Sequence, residues 1–142
     1  APLATAMDLR DVNLVLELDE AATFQGDAPW TAEAVENIAK NCMEHTPLGG
    51  TVTVAVREDA LATTIAVSDT GPGIAPEDLP HIFERFYRGG AVEEANVAQP
   101  AGFGIGLSLA QALVSAQGGT LRASNNPAGG ARFEIAFPKL VV

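Results

Sequence analysis

The stretch TVTVAVRE at 51–58 alternates polar and apolar residues without a break, which puts Val52, Val54 and Val56 on one side of a strand. LATTIAVSD follows at 61–69 after a short polar turn, so the two runs read as a hairpin. A one-sided apolar strand needs a second layer over that side only, with the other side facing water. VNLVLEL at 12–18 reads as a further strand, and TLRAS and ARFEIAFP pair as a second hairpin across NNPAGG. Helical patterns fall between the strands, over 30–45, briefly over 79–86, and over 106–117. The expected fold is an α/β (α+β) two-layer sandwich: a mixed, mostly antiparallel sheet with about three helices on one face.

A chain of 142 residues has the size of one domain and can bury a real core. The expectation is a single domain over 1–142, excised from a longer chain. Eight Lys and Arg against 18 Asp and Glu give a net charge of −10, which argues against a nucleic-acid or anionic-membrane surface. An acidic chain can still bind a nucleotide, provided backbone amides, a few placed bases and a divalent cation meet the phosphates. The lone cysteine, Cys42, excludes an intrachain disulfide and a cysteine metal cluster and fits a reducing compartment. No apolar run approaches the length of a membrane span.

The helix pattern APWTAEAVENIAKNCMEHTP places Val35, Ile38, Ala39, Cys42 and Met43 on one arc, the core stripe. Asn37 and Asn41 lie one turn apart beside it, flanked by Glu44 and His45. Asparagine is a mediocre helix former, so two in register invite a reason. They are either two solvated polar residues or two carboxamides projecting into a cleft, where neutral oxygen donors suit Mg²⁺ and phosphate together.

Asp69 stands at a strand exit, before the turn Gly71-Pro72-Gly73 that lets backbone approach a flat ligand. A carboxylate there either caps the turn or accepts a hydrogen bond from an exocyclic amine such as N6 of adenine. AGFGIGLSLAQ at 101–111 spaces Gly102, Gly104 and Gly106 as G-x-G-x-G, which fits neither the dinucleotide nor the Walker pattern. Before it runs RGGAVEEANVAQPAG at 88–102, long and weakly apolar, as lids are.

Together these stretches resemble the ATP-binding catalytic domain of bacterial sensor histidine kinases, in the GHKL superfamily with its Bergerat fold. ENIAKNCMEHTP resembles the asparagine box, DTGPGI the first glycine box, IFERFYRG the phenylalanine box and GFGIGLSLA the second glycine box, in the family's order. The resemblance covers nearly the whole chain from about Val12. It implies a flexible ATP lid hinged at GFGIG, with a helix N-terminus facing the phosphates. Free amides and the helix dipole attract anions there without a lysine.

By resemblance, the cofactors are ATP and Mg²⁺. Asn41 would hold the metal, Asn37 would support the phosphates and Asp69 would read adenine. Gly71 and Gly73 would shape the base pocket, and Gly102, Gly104, Gly106 and Leu107 would line the phosphate end. Arg85 and Arg88 are the candidates for the γ-phosphate, or else solvated surface arginines. Phe83 and Phe86 are expected as lid anchors packed on the core. His45 either touches phosphate or caps its helix, and His81 is expected as a partly exposed structural histidine. Two positions depart from the family pattern. Glu44 stands where a lysine is common, with a surface Lys40–Glu44 pair expected, and Ala131 stands where a hydroxyl residue often lies near the base.

Superfamily members that hydrolyse ATP place a glutamate one turn before the Mg²⁺ asparagine, where this chain has Asn37. Glu36 points about 140° away from Asn41 around the helix. A carboxamide takes no proton from water, which favours a kinase over a hydrolase. The resemblance then implies two partners, a dimerisation/histidine phosphotransfer domain of the same kinase and a response regulator. It also implies a cytoplasmic placement within a protein of the bacterial inner membrane. An anti-sigma-type serine kinase, a GHKL ATPase and a nucleotide-sensing module remain as alternatives.

Overall fold

The computed structural model describes residues 12–19, 21–24, 26–87 and 106–139. The elements run β1 (Asn13–Leu18), α1 (Ala28–His45), β2 (Thr51–Glu58), β3 (Ala62–Asp69), a 3₁₀ turn (Leu79–His81), α2 (Leu107–Ser115), β4 (Thr120–Asn125) and β5 (Ala131–Pro138). They build one five-stranded sheet in the order β1-β2-β3-β5-β4. Only β1 and β2 are parallel, and α1 supplies the crossover that parallel neighbours require. The other pairings are antiparallel, so both expected hairpins form.

Period-two alternation decides which face is covered. Val52, Val54, Ile65, Val67, Phe133, Ile135 and Phe137 are buried with Ile38, Ala39, Cys42 and Met43 of α1 and Leu107, Ala110 and Val114 of α2. The helices pack on each other, α1 over β2 and β3 and α2 over β4. The opposite face carries Thr53, Arg57, Thr64, Ser68, Arg132 and Glu134 and meets solvent, as polar residues at those register positions require. The two-layer mixed sandwich is thus as expected, with one difference. Among the described residues there are two α-helices, and the third expected helix is the short 3₁₀ turn. The chain goes on in successive tight turns, with i to i+3 bonds from Glu84 N–H to His81 O and from Tyr87 N–H to Glu84 O in place of the i to i+4 bonds of an α-helix.

Local signals fix α1 at both ends. The Asp27 carboxylate accepts from Trp30 N–H at 2.9 Å as N-cap, with proline in the first turn. At the other end Thr46 Oγ1 donates to Cys42 O at 2.6 Å, and Pro47 stops the helix. Gln117, just past α2, accepts from Asp27 N–H and Thr31 Oγ1 and donates to Leu113 O. This ties the start of α1 to the end of α2, while Gly106 at the start of α2 lies against Asn37 in the middle of α1, where an added Cβ would sit 4.0 Å from Asn37 Cβ. The helices therefore run roughly antiparallel, and the second half of α1 faces the beginning of α2.

Candidate functional site

That packing gathers the asparagines, the exit of β3 and the start of α2 at one end of the sheet. Asn41 is only 5% exposed and Asn37 is half-buried. The Nδ2 atoms of both are buried without a hydrogen-bond partner. A buried donor left unmade costs about 1–3 kcal/mol, so a fold keeps two of them side by side only where something else satisfies them. The burial does not fit two solvated side chains.

Gly106, the N-cap of α2, provides no side-chain cap, and the first turn of the helix holds no acidic residue. The start of α2, which carries the positive end of the helix dipole, thus lies beside Asn37. Leu107 is fully buried in the core, so only its backbone can face a ligand.

The end of β3 is built just as tightly. Asp69 is 5% exposed, and its Oδ1 accepts from Gly71 N–H at 2.9 Å and from Ala131 N–H at 3.0 Å. Gly71 must be glycine for steric reasons, because a Cβ would stand 2.5 Å from the carbonyl oxygen of His45. That contact brings the end of α1 directly onto the glycine turn. Cys42 packs beneath. Burial pushes its thiol well above the ordinary range, and the Asp69 carboxylate pushes it further in the same direction.

Other expected residues sit elsewhere. His45 is exposed, and its Nδ1 lies 2.8 Å from the Asn41 carbonyl, the geometry of the helix-capping alternative. Arg85 is exposed, and its guanidinium lies over the Phe86 ring, 5.0 Å from the centroid, not against the asparagines. Phe83 packs edge-on against Phe133, as an anchor should. Phe86 does not follow that expectation: it is 63% exposed, with φ of +65°. A left-handed backbone is unusual at a bulky residue, and the ring stands in solvent under the Arg85 guanidinium. His81 is partly exposed, bonded to Glu84 and stacked near Tyr87. Arg88, Gly102, Gly104 and the expected lid lie outside the described residues.

Sequence reasoning missed Gly130 and Asn125 of the last hairpin, and at Ala131 it weighed only the side chain, not the backbone. Ala131 bonds Asp69 through its backbone. Gly130 has φ of +91°, and a Cβ there would stand 1.9 Å from the Asp69 carbonyl oxygen. Asn125 accepts from Ile74 N–H at 2.7 Å and donates to Ile74 O at 2.8 Å. The only legible signal was NNPAGG, which says turn and nothing about what the turn touches.

Residues 26–141 match the model of the family described as histidine kinase-, DNA gyrase B-, and HSP90-like ATPase. The chain is 32% identical over 136 residues to the sensor-like histidine kinase SenX3 of Mycobacterium tuberculosis, covering 96% of this chain and 32% of that protein. It is 36% identical over 105 residues to the sensor histidine kinase CpxA of Escherichia coli, covering 74% of this chain and 22% of that one. The chain thus spans about a third or less of the curated relatives it matches. Among solved structures, a mycobacterial sensor histidine kinase, MprB, superposes with a TM-score of 0.76 at 28% identity, over 96% of this chain and 88% of that one.

Proposed function

From the premise that this chain belongs to the histidine kinase-, DNA gyrase B- and HSP90-like ATPase family and is homologous to the sensor histidine kinases, we propose that it binds Mg-ATP and presents the γ-phosphate to a histidine on a separate dimerisation domain. A response regulator then receives the phosphoryl group. The observation that carries this reading is the pair of buried, unpartnered carboxamide nitrogens of Asn37 and Asn41, with the start of α2 beside Asn37. Among the described residues no three His, Cys, Asp or Glu side chains converge as a metal cage. One carboxamide oxygen shared with nucleotide phosphates and water is a donor set that Mg²⁺ favours.

In this proposal Asn41 would give Oδ1 to the metal and Nδ2 to a phosphate oxygen, and Asn37 Nδ2 would donate to the phosphate chain. By the family resemblance the amides of Gly102, Gly104, Gly106 and Leu107 would meet the phosphates, with Arg85 and Arg88 the bases nearest in sequence to the lid and His45 at the rim; Gly102, Gly104 and Arg88 lie outside the described residues. Mg²⁺, when bound, neutralises charge on the transferring phosphoryl group. Asp69 already commits Oδ1 to the backbone, and its other oxygen accepts from adenine N6 between Gly71 and Gly73. Asn37 offers no base for water, so the residues hold the phosphate without activating a hydrolytic nucleophile.

The test is a calorimetric titration with ATP, with and without Mg²⁺, while free phosphate is followed in the same sample. Mg²⁺-assisted binding with negligible phosphate release is the expected result. Sustained release would overturn the kinase reading, and no binding would overturn the site itself.

A further inference from the structure

We infer that Asn125 is the positioning residue of the base pocket, holding the Gly71–Ile74 turn from the far hairpin; the inference rests on reading that turn as the base site. The turn after β3 leaves the sheet, so its backbone groups have no strand to pair with. Asn125 supplies the missing partner. Its carboxamide makes the two hydrogen bonds a neighbouring strand would make, taking Ile74 N–H at 2.7 Å and giving to Ile74 O at 2.8 Å. The fit is close, because a Cβ on Gly73, whose φ is +85°, would come within 2.8 Å of Asn125 Oδ1. Asparagine does this with one planar group that carries donor and acceptor at fixed spacing.

The same hairpin grips the other side of the pocket. Asn126 N–H donates to Gly130 O at 2.8 Å, closing the turn, and Gly130 lies against the Asp69 carbonyl. Ala131 N–H then bonds Asp69 Oδ1. Asp69 and Ile74, the two ends of the glycine turn, are therefore both fixed by the β4–β5 hairpin. At position 131 no hydroxyl is available for the base, so this hairpin acts through backbone and through Asn125. The base end is thus preorganised by a part of the sheet distant in sequence, in addition to its contact with the end of α1 at His45 O.

The experiment uses the 142-residue chain with Asn125→Ala and the near-isosteric Asn125→Asp, which keeps the acceptor for Ile74 N–H but loses the donor. ATP affinity is read by calorimetry, inorganic tripolyphosphate affinity by competition, and Ile74 amide protection by hydrogen exchange. The expected result is an ATP Kd raised about tenfold in Asn125→Ala and less in Asn125→Asp. Ile74 should lose protection while Val67 in β3 keeps it, saturating ATP should restore it, and tripolyphosphate should be affected less than twofold. If Asn125→Ala fails to fold, the aspartate variant decides by the same readings. A folded variant with ATP affinity within twofold of the unchanged chain overturns the inference, as does undiminished Ile74 protection. Equal losses for ATP and tripolyphosphate would overturn it too, since they mean general loosening. An unchanged chain that binds no ATP would instead strike the proposed function.

Discussion

Replacing Asn41 by leucine should stabilise the ligand-free chain while abolishing its response to Mg-ATP. Leucine has the same branching at the same length, and the position is 5% exposed with Nδ2 buried and unpartnered. Removing an orphaned donor of that kind returns about 1–3 kcal/mol, and leucine is the better helix former by a few tenths of a kcal/mol. At roughly 3 °C per kcal/mol for a chain of this length, the melting temperature should rise by about 3–9 °C. The unchanged chain should gain about 2.7 kcal/mol when Mg-ATP is present at 100 times its Kd. The variant should gain nothing, so the order of the two melting curves closes or reverses with ligand. Calorimetric melts of both chains, with and without Mg-ATP, measure this. A leucine variant that melts below the unchanged chain without ligand would refute the reasoning, because the amide would then be satisfied or structural.

Gly130→Ala should be severely destabilising, by about 3 kcal/mol or more in urea unfolding, since it combines positive φ with a Cβ 1.9 Å from the Asp69 carbonyl. Gly129→Ala, at φ of +110° with nothing within 4 Å, should cost only about 1–2 kcal/mol. Tyr87, the only tyrosine, donates to Asp78 Oδ1, which pushes its pKa up to about 12. Absorbance at 295 nm should therefore show phenolate forming near pH 12 in the folded chain and near 10 when unfolded. Because the folded value is the higher, the bond's contribution is complete below pH 10 and disappears as pH rises through 12. Tyr87→Phe should abolish that part of the alkaline stability profile. Cys42 is fully buried with its thiol kept protonated. Iodoacetamide should label it at least about 100-fold more slowly than in the denatured chain, and fast labelling of the native chain would contradict that placement.

Much of this protein is legible in one dimension because its signals are local and periodic. The alternation at 51–58 fixes which face of β2 is apolar, since a strand's side chains alternate with period two. Asp27 and Pro47 mark where α1 can begin and end, and the 3.6 period puts Asn37 and Asn41 together on it. Those two asparagines and the glycine boxes also carried the family, because the chemistry of phosphate binding demands particular residues at particular spacings. What spacing could not say is how deep the asparagines sit. That depends on how the elements pack, as where α2 brings Gly106 to Asn37.

Asp69, Gly71 and Gly73 were legible, but how the turn they form is held was decided by tertiary structure. Asn125 reaches Ile74 across 51 residues and Ala131 reaches Asp69 across 62, contacts that exist only because β5 pairs with β3 and β4 with β5. Phe86 shows the converse. Its composition suggests an anchor, but its backbone is left-handed and its ring stands exposed. Sequence determines a residue's own conformational preferences and its neighbours within a turn of helix or a step of strand. Which distant backbone groups it must satisfy is set by how the layers close over the core, and no local pattern records that.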